Sequence, residues 1–161
     1  MTRDLFTQLV RKELSGLRRF LLAACSGNSD EADDIAQEAL MKAYTASGNF
    51  EDESGFSRWL YRIACNCLTD HQRKVVSRGV TLGIDKAHQV AATSCSDSIF
   101  DYQELYRAID GLTISERTAV LLFYMEDRPI KEISAIMNVA EGTVKALLSR
   151  GREHLRTKLS K

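Results

Sequence analysis

The chain has 161 residues, in which 22 Lys+Arg balance 22 Asp+Glu, 44% are apolar, nine are Gly and one is Pro. That is room for one ordinary domain or two small ones, and the composition excludes a large enzyme scaffold, a collagen-like repeat and a wholly disordered chain. No apolar run approaches the roughly 18 residues of a membrane span, and the N-terminus MTRDLFTQLVRKEL lacks the apolar core of a secretory signal, so a chain without a membrane span and a cytoplasmic location are expected.

Apolar residues recur at helical spacing almost throughout, and no alternation is long enough for a strand, which predicts an all-α chain. A first helix is expected from about Asp4 to Cys25, followed by a turn over Ser26, Gly27, Asn28, Ser29 and Asp30 that can cap the next helix. In that second helix Ile35, Ala36, Ala39, Leu40 and Ala43 mark the buried stripe, which leaves Asp34, Gln37, Glu38, Met41 and Lys42 on the other side. Ser47, Gly48 and Asn49 then break it. A third helix carries Phe56, Trp59, Leu60, Ile63, Ala64, Cys67 and Leu68 at i, i+3, i+4, i+7, i+8, i+11 and i+12. At about 100° per residue, Arg58, Tyr61, Arg62, Cys65, Thr69, Gln72 and Arg73 point away from that core, a basic surface with an aromatic in it, with Asn66 and Asp70 on the flanks.

Residues 79–98 turn to Gly, Ala, Thr, Ser and His with weak periodicity, and a structureless stretch of roughly 20 residues is too long for the inside of a compact domain. The expected architecture is therefore two small helical domains, residues 1–78 and 99–161, joined by a flexible linker over 79–98. Leu105, Ile109 and Leu112 begin the second core, Thr113 or Ser115 can cap a helix with Glu116 in its first turn, and Val120, Leu121 and Phe123 extend it. Pro129 opens the next helix, in which Ile133, Ile136 and Met137 face inward and Ala135 is small enough for a close helix crossing. Asn138 tolerates the left-handed turn. A last helix from about Gly142 buries Val144, Leu148, Gly151, Leu155 and Leu159 and leaves Lys145, Ser149, Arg150, Arg152 and Arg156 on its outer arc.

The neutral total charge hides blocks of alternating sign: +3 over residues 1–25, −7 over 26–55, +4 over 56–80, −5 over 81–127 and +5 over 128–161. Two basic segments separated by acidic ones suit two polyanion contacts, with acidic faces left for protein partners. Cys25, Cys65, Cys67 and Cys95 include no CxxC pair, and reduced thiols are the default reading. Cys65, Cys67 and His71 do not share a helix face, while His88 and His154 have no spaced partners, so no metal site is expected. No phosphate loop or GxSxG occurs either, and neither a cofactor nor an enzymatic activity is expected.

The stretch PIKEISAIMNVAEGTVKALLSRGREHLR, Pro129 to Arg156, has the layout of a helix-turn-helix whose second, basic helix could enter a major groove. Read with ADDIAQEALMKAY (Ala32 to Tyr44) and FSRWLYRIACNCLTDHQRK (Phe56 to Lys74), the chain resembles an extracytoplasmic-function sigma factor, a small bacterial transcription initiation subunit. Three motifs in order over nearly the whole chain make the resemblance far more specific than a lone helix-turn-helix.

The resemblance implies that Asp34, Gln37 and Glu38 meet the clamp helices of the largest subunit of core RNA polymerase. It further implies that Phe50 and Asn66 capture a base flipped from the minus-10 element, a role in which stacking and an amide offset the unstacking cost. Tyr61, Arg62, Arg73 and Lys74 would contact the opened strand or upstream phosphates, and Trp59 falls with the core. Lys145, Ser149 and Arg150 match positions from which the family reads the minus-35 element, with Thr143, Arg152 and Arg156 holding the backbone. The polymerase flap and an anti-sigma factor are the further partners implied.

Two departures stand out. Ala146 and Leu147 replace the Ser-Arg usual after the Lys, removing a hydroxyl and a guanidinium whose bidentate base contact would carry about 1–3 kcal/mol of discrimination, so an altered or weak minus-35 preference is expected, with Leu147 available for a protein contact instead. The loop Glu51, Asp52, Glu53 is more acidic than a DNA-side loop should be. These keep open an alternative, a sigma-like decoy that binds an anti-sigma protein without initiating transcription.

Overall fold

The computed structural model describes residues 1–77 and 97–159. All of the predicted linker except Asp97 and Ser98 lies outside the described residues, as do His88 and Cys95. Among the described residues every regular element is helical: α1 (Arg3–Ala24), α2 (Ser29–Ala46), α3 (Phe56–Ser77), α4 (Asp97–Asp110), α5 (Ile114–Val120), α6 (Ile130–Met137) and α7 (Glu141–Leu159).

Local chemistry sets these limits. Thr2 Oγ1 accepts from the Leu5 amide at the start of α1. Ser26 and Gly27, both at positive φ (57° and 86°), reverse the chain, and Asn28 caps α2 by accepting from the Glu31 amide at 3.2 Å. Thr113 and Glu116 form a reciprocal capping box on α5. Pro129 leads into α6, and Asn138 ends it in the left-handed conformation (φ 57°, ψ 48°), which separates α6 from α7 as a helix-turn-helix requires.

The α1–α3 unit packs around Leu17, Phe20, Leu21, Ile35, Ala39, Leu60, Ala64 and Leu68, and the α4–α7 unit around Ile109, Leu112, Leu122, Ile133, Ile136, Val144 and Leu148, all buried. Each buried Leu, Ile, Val or Phe among them contributes about 1.5–3 kcal/mol. Helix α7 crosses α5 at Gly151, where a Cβ would lie 2.6 Å from Val120 Cγ2. That is the close crossing in this unit. Ala135, expected to serve it, is exposed, and Leu159, expected in the seam, is 48% exposed at the end of α7.

The two units share one continuous core, α3 packing on α6 and α1 on α4 and on the turn after α5. Arg117 sits in this junction. Its guanidinium donates to the Ile109, Asp110 and Leu112 carbonyls at 3.2 Å each and to the Ala24 carbonyl of α1 at 2.8 Å. Among the described residues no helix is long and apolar enough to cross a membrane.

Candidate nucleic-acid interface

Three faces carry the residues singled out by sequence. The first is the outer face of α2. Its buried stripe is Ala32, Ile35, Ala36, Ala39 and Ala43, so at 3.6 residues per turn the face opposite holds Asp34 and Gln37, both exposed, and the half-buried Glu38. Glu38 pairs with Lys42 at 3.2 Å, and Asp33 with Arg18 at 3.6 Å. Met41 beside them is 72% exposed, giving the acidic face an apolar centre.

The second face is α3 with the loop before it. Phe50 is half-buried and stacks on Trp59, ring centroids 4.4 Å apart and planes 16° from parallel. Asn66 is exposed two turns farther on, and Trp59, Asn66 and Arg73 line one wall of a cleft of about 740 Å³. Ile114, Ser115, Ile136 and Met137 of the C-terminal unit line the opposite wall. Trp59 is common to Phe50 and Asn66, stacking on the first and lining the cleft with the second. Sequence periodicity assigns Trp59 to the core; it is half-buried, with part of its ring on the cleft, and its i, i+7 spacing to Asn66 is the available signal. Arg62, Arg73 and Lys74 are exposed, as expected of phosphate-facing cations.

Tyr61 and Cys65 depart from expectation. Periodicity points both away from the core, and both are buried, at 1% and 6% exposure. Their helical phase is as expected, but that side of α3 is covered: the C-terminal unit packs on it, and the Tyr61 ring also lies against Phe20 of α1, centroids 5.7 Å apart. Tyr61 Oη donates to Glu126 Oε1 at 2.7 Å, and the Arg128 guanidinium lies 4.5 Å over its ring. Burial and the Glu126 carboxylate push the Tyr61 pKa up, so the phenol stays protonated as a donor.

The acidic loop has a structural use. Asp52 Oδ1 accepts from the Ser54 amide at 3.2 Å and the Ser54 hydroxyl at 2.6 Å, which caps the short turn Glu53–Gly55 leading into α3. The Ser54 hydroxyl bond is the main cause holding its carboxyl below the usual range.

The third face is α7. Thr143, Lys145, Ser149, Arg150, Arg152 and Arg156 are all exposed, over a seam of Val144, Leu147, Leu148 and Gly151. Leu147, expected to serve a protein contact from the surface, is packed inward at 6% exposure, so a side chain at that position does not join the exposed arc. Only Ala146 of the two departures is displayed. Arg152 donates to the exposed Tyr124 hydroxyl at 3.1 Å. At the base of the arc His154 Nδ1 lies 3.1 Å from the capping Glu116, tying α7 to the α5 N-terminus. The arrangement presents a row of cations and hydroxyls on a straight helix behind a tight turn, a shape that fits a major groove.

Two family models match the chain. Residues 7–78 match the family model described as Sigma-70 region 2, and residues 102–155 match Sigma-70, region 4. The chain is 35% identical over 145 residues to the ECF RNA polymerase sigma factor SigW of Bacillus subtilis, covering 83% of this chain and 78% of that protein. It is 32% identical over 151 residues to the ECF RNA polymerase sigma factor SigM of Mycobacterium tuberculosis, covering 93% and 74%. Among solved structures, the sigma factor RpoE in complex with the anti-sigma factor NepR from Bartonella quintana superposes with a TM-score of 0.81 at 29% identity, covering 99% of this chain and 98% of that one. With both regions matched in order, and with relatives of this identity spanning most of their own length, the chain belongs to the extracytoplasmic-function sigma factors, a family of non-catalytic transcription regulators.

Proposed function

We propose that this chain binds core RNA polymerase and directs initiation at promoters that it recognises at two elements. Asp34, Gln37 and Glu38 of α2 meet the clamp helices of the largest subunit. The α3 face, with Phe50, Asn66, Arg62, Arg73 and Lys74, holds the opened minus-10 strand, and Tyr61 joins it once the C-terminal unit has moved away. From α7, Lys145, Ser149 and Arg150 read the minus-35 element while Thr143, Arg152 and Arg156 grip the phosphates. The α4–α7 unit also meets the polymerase flap, and an anti-sigma protein covers these surfaces when transcription is off. The protein works where the polymerase is, in the cytoplasm, as residues 1–78 and 99–161 acting through the linker between them.

The observation that carries this reading is the α7 arc: all six residues are exposed together on the second helix of a helix-turn-helix, over a seam that is buried. Transcription from a pool of genomic fragments with core polymerase, with and without the protein, tests it by sequencing transcript 5′ ends. New starts sharing two upstream elements are expected. Arg150→Ala should weaken use of the minus-35 element and leave core binding intact, whereas Asp34→Lys should weaken core binding. A folded protein that yields no new starts overturns the proposal and leaves the decoy as the better reading.

A further inference from the structure

The turn between α5 and α6 is irregular in a way that aims two charges at the other unit. After Val120 the helix widens into an i→i+5 turn over Leu121–Met125, closed by the Glu126 amide on the Leu121 carbonyl at 3.1 Å. Asp127 then takes a left-handed conformation, φ 56°, which its short polar side chain tolerates and which turns the chain. The result is that Glu126 and Arg128 both point into α1 and α3.

Glu126, 4% exposed at its side chain, accepts from Arg19 of α1 at 3.2 Å and from Tyr61 of α3 at 2.7 Å. Gly16 lies directly beneath, where a Cβ would stand 3.0 Å from both Glu126 Oε1 and Tyr61 Oη. Arg128 covers the Tyr61 ring and reaches Glu13 of α1 at 3.8 Å. Farther along the seam Ser26 donates to Asp110 at 2.8 Å and Arg117 to the Ala24 carbonyl at 2.8 Å. These bonds all join the two units, and a carboxylate buried between an arginine and a tyrosine of the other unit keeps its partners only while the units stay joined.

We propose that the free chain is self-closed: the α5–α6 turn is an internal latch, with Glu126 as its pin, that holds the C-terminal unit over the α3 face. The closed form buries Tyr61, and it places α6 across the cleft that Trp59, Asn66 and Arg73 line. The α7 arc and the α2 face stay exposed. Closure therefore buries Tyr61 and narrows the approach to one of the three faces, whose Arg62, Asn66, Arg73 and Lys74 stay exposed, and leaves the other two for recruitment. The matching arrangement of the anti-sigma-bound RpoE is, in this chain, held by its own residues, so a partner of that kind would stabilise a form already present. The latch itself is independent of the functional reading, while its effect on strand contact rests on the assignment of α3 to the minus-10 element.

Small-angle X-ray scattering of the full chain, without polymerase or DNA, tests the latch. A compact chain of this length has a radius of gyration of about 15 Å, and two half-size units separated on a linker exceed that by at least about 3 Å. The parent protein is expected near the compact value. Glu126→Arg, which sets a third cation against Arg19 and Arg128, and Arg19→Glu, which acts from the exposed side of the seam, should each expand it with helical circular dichroism unchanged. The double variant, restoring an opposite-charge pair, should return toward the parent. An expanded parent, or two folded single variants as compact as the parent, overturns the proposal. Should Glu126→Arg fail to fold, Arg19→Glu and the double variant decide it. If the variants open but promoter use is unaltered, the latch stands and the assignment of the α3 face falls.

Discussion

Replacing Arg117 by Met should destabilise the protein by about 3 kcal/mol. Its side chain is 8% exposed, and its fork satisfies four carbonyls, of which those of Ala24, Ile109 and Leu112 are reached through buried hydrogen bonds. Met fills similar space but donates nothing, so the Ala24 and Leu112 carbonyls lose their partner at about 1–3 kcal/mol each, while the Ile109 carbonyl keeps the Leu112 amide at 3.0 Å. An offset comes from the guanidinium itself, since burial draws its pKa down, against the pull of Asp110, and removing it removes that desolvation cost. Taking about 1.5 kcal/mol for each of the two stranded carbonyls gives the stated loss, a large share of the roughly 5–15 kcal/mol that holds a domain together. Arg117→Lys should fall between, because one ammonium cannot span carbonyls on three sides. Urea unfolding followed by circular dichroism measures it, and thermal unfolding adds a second reading. The melting temperature should fall by roughly 6–12 °C if the chain unfolds as one unit and by about twice that if the C-terminal unit melts alone. A loss under about 0.5 kcal/mol would refute the reasoning, since the carbonyls would then have to be satisfied without Arg117.

Other outcomes concern single sites. Burial pushes the Glu116 carboxyl up, but the Thr113 amide and His154 outweigh it, and its pKa lies below the usual range; its stabilising effect is present above the unfolded value of about 4.3 and is lost as pH falls through the folded one. Glu116→Gln should therefore be less stable than the parent at neutral pH, the gap closing on acidification, and a pH-independent gap would exclude this linkage. Asn138→Ala should cost about 1 kcal/mol because Ala resists the left-handed conformation, whereas Asn138→Gly should change the melting temperature little. The Cys65 thiol, pushed up to about 12 by burial, should resist iodoacetamide at pH 8 in the native chain and react in Glu126→Arg, as peptide mass mapping would show. Equal labelling of both would mean that the C-terminal unit does not shield it.

Much of this fold was legible from local chemistry. The Thr113–Glu116 box, the left-handed Asn138 and the helical limits depend on residues three or four apart, and the structure places them as read. The α7 arc was legible for the same reason, since a seam of Val144, Leu148 and Gly151 leaves one face for Lys145, Ser149 and Arg150. Ala135 misled because small size licenses a close crossing without causing one; the crossing formed at Gly151, where Val120 of α5 leaves no room for a Cβ. Arg117 gave no sequence signal at all. Its acceptors are main-chain carbonyls, which carry no side-chain identity, and one of them lies 93 residues away.

Tyr61 marks the deeper limit, and the reason for it bears on how the chain works. Helical periodicity compares a residue with its own helix and so recognises a single buried stripe; a helix covered on a second side by another unit reads as if that side faced water. The polar residues of α3 fit that outward reading, and they can do so because part of the covering seam is itself polar, built from Glu126, Arg128, Arg19 and Tyr61 beside the apolar contacts of α6. A polar seam tolerates both states of a two-unit chain. When closed its charges pair, and when open they hydrate, so this polar part adds little to the free-energy gap between the states, which the apolar contacts of the shared core set and a partner can shift. A wholly apolar seam would have been visible in the sequence and would have raised the cost of opening. The sequence pattern that hid the contact is the one that lets it open.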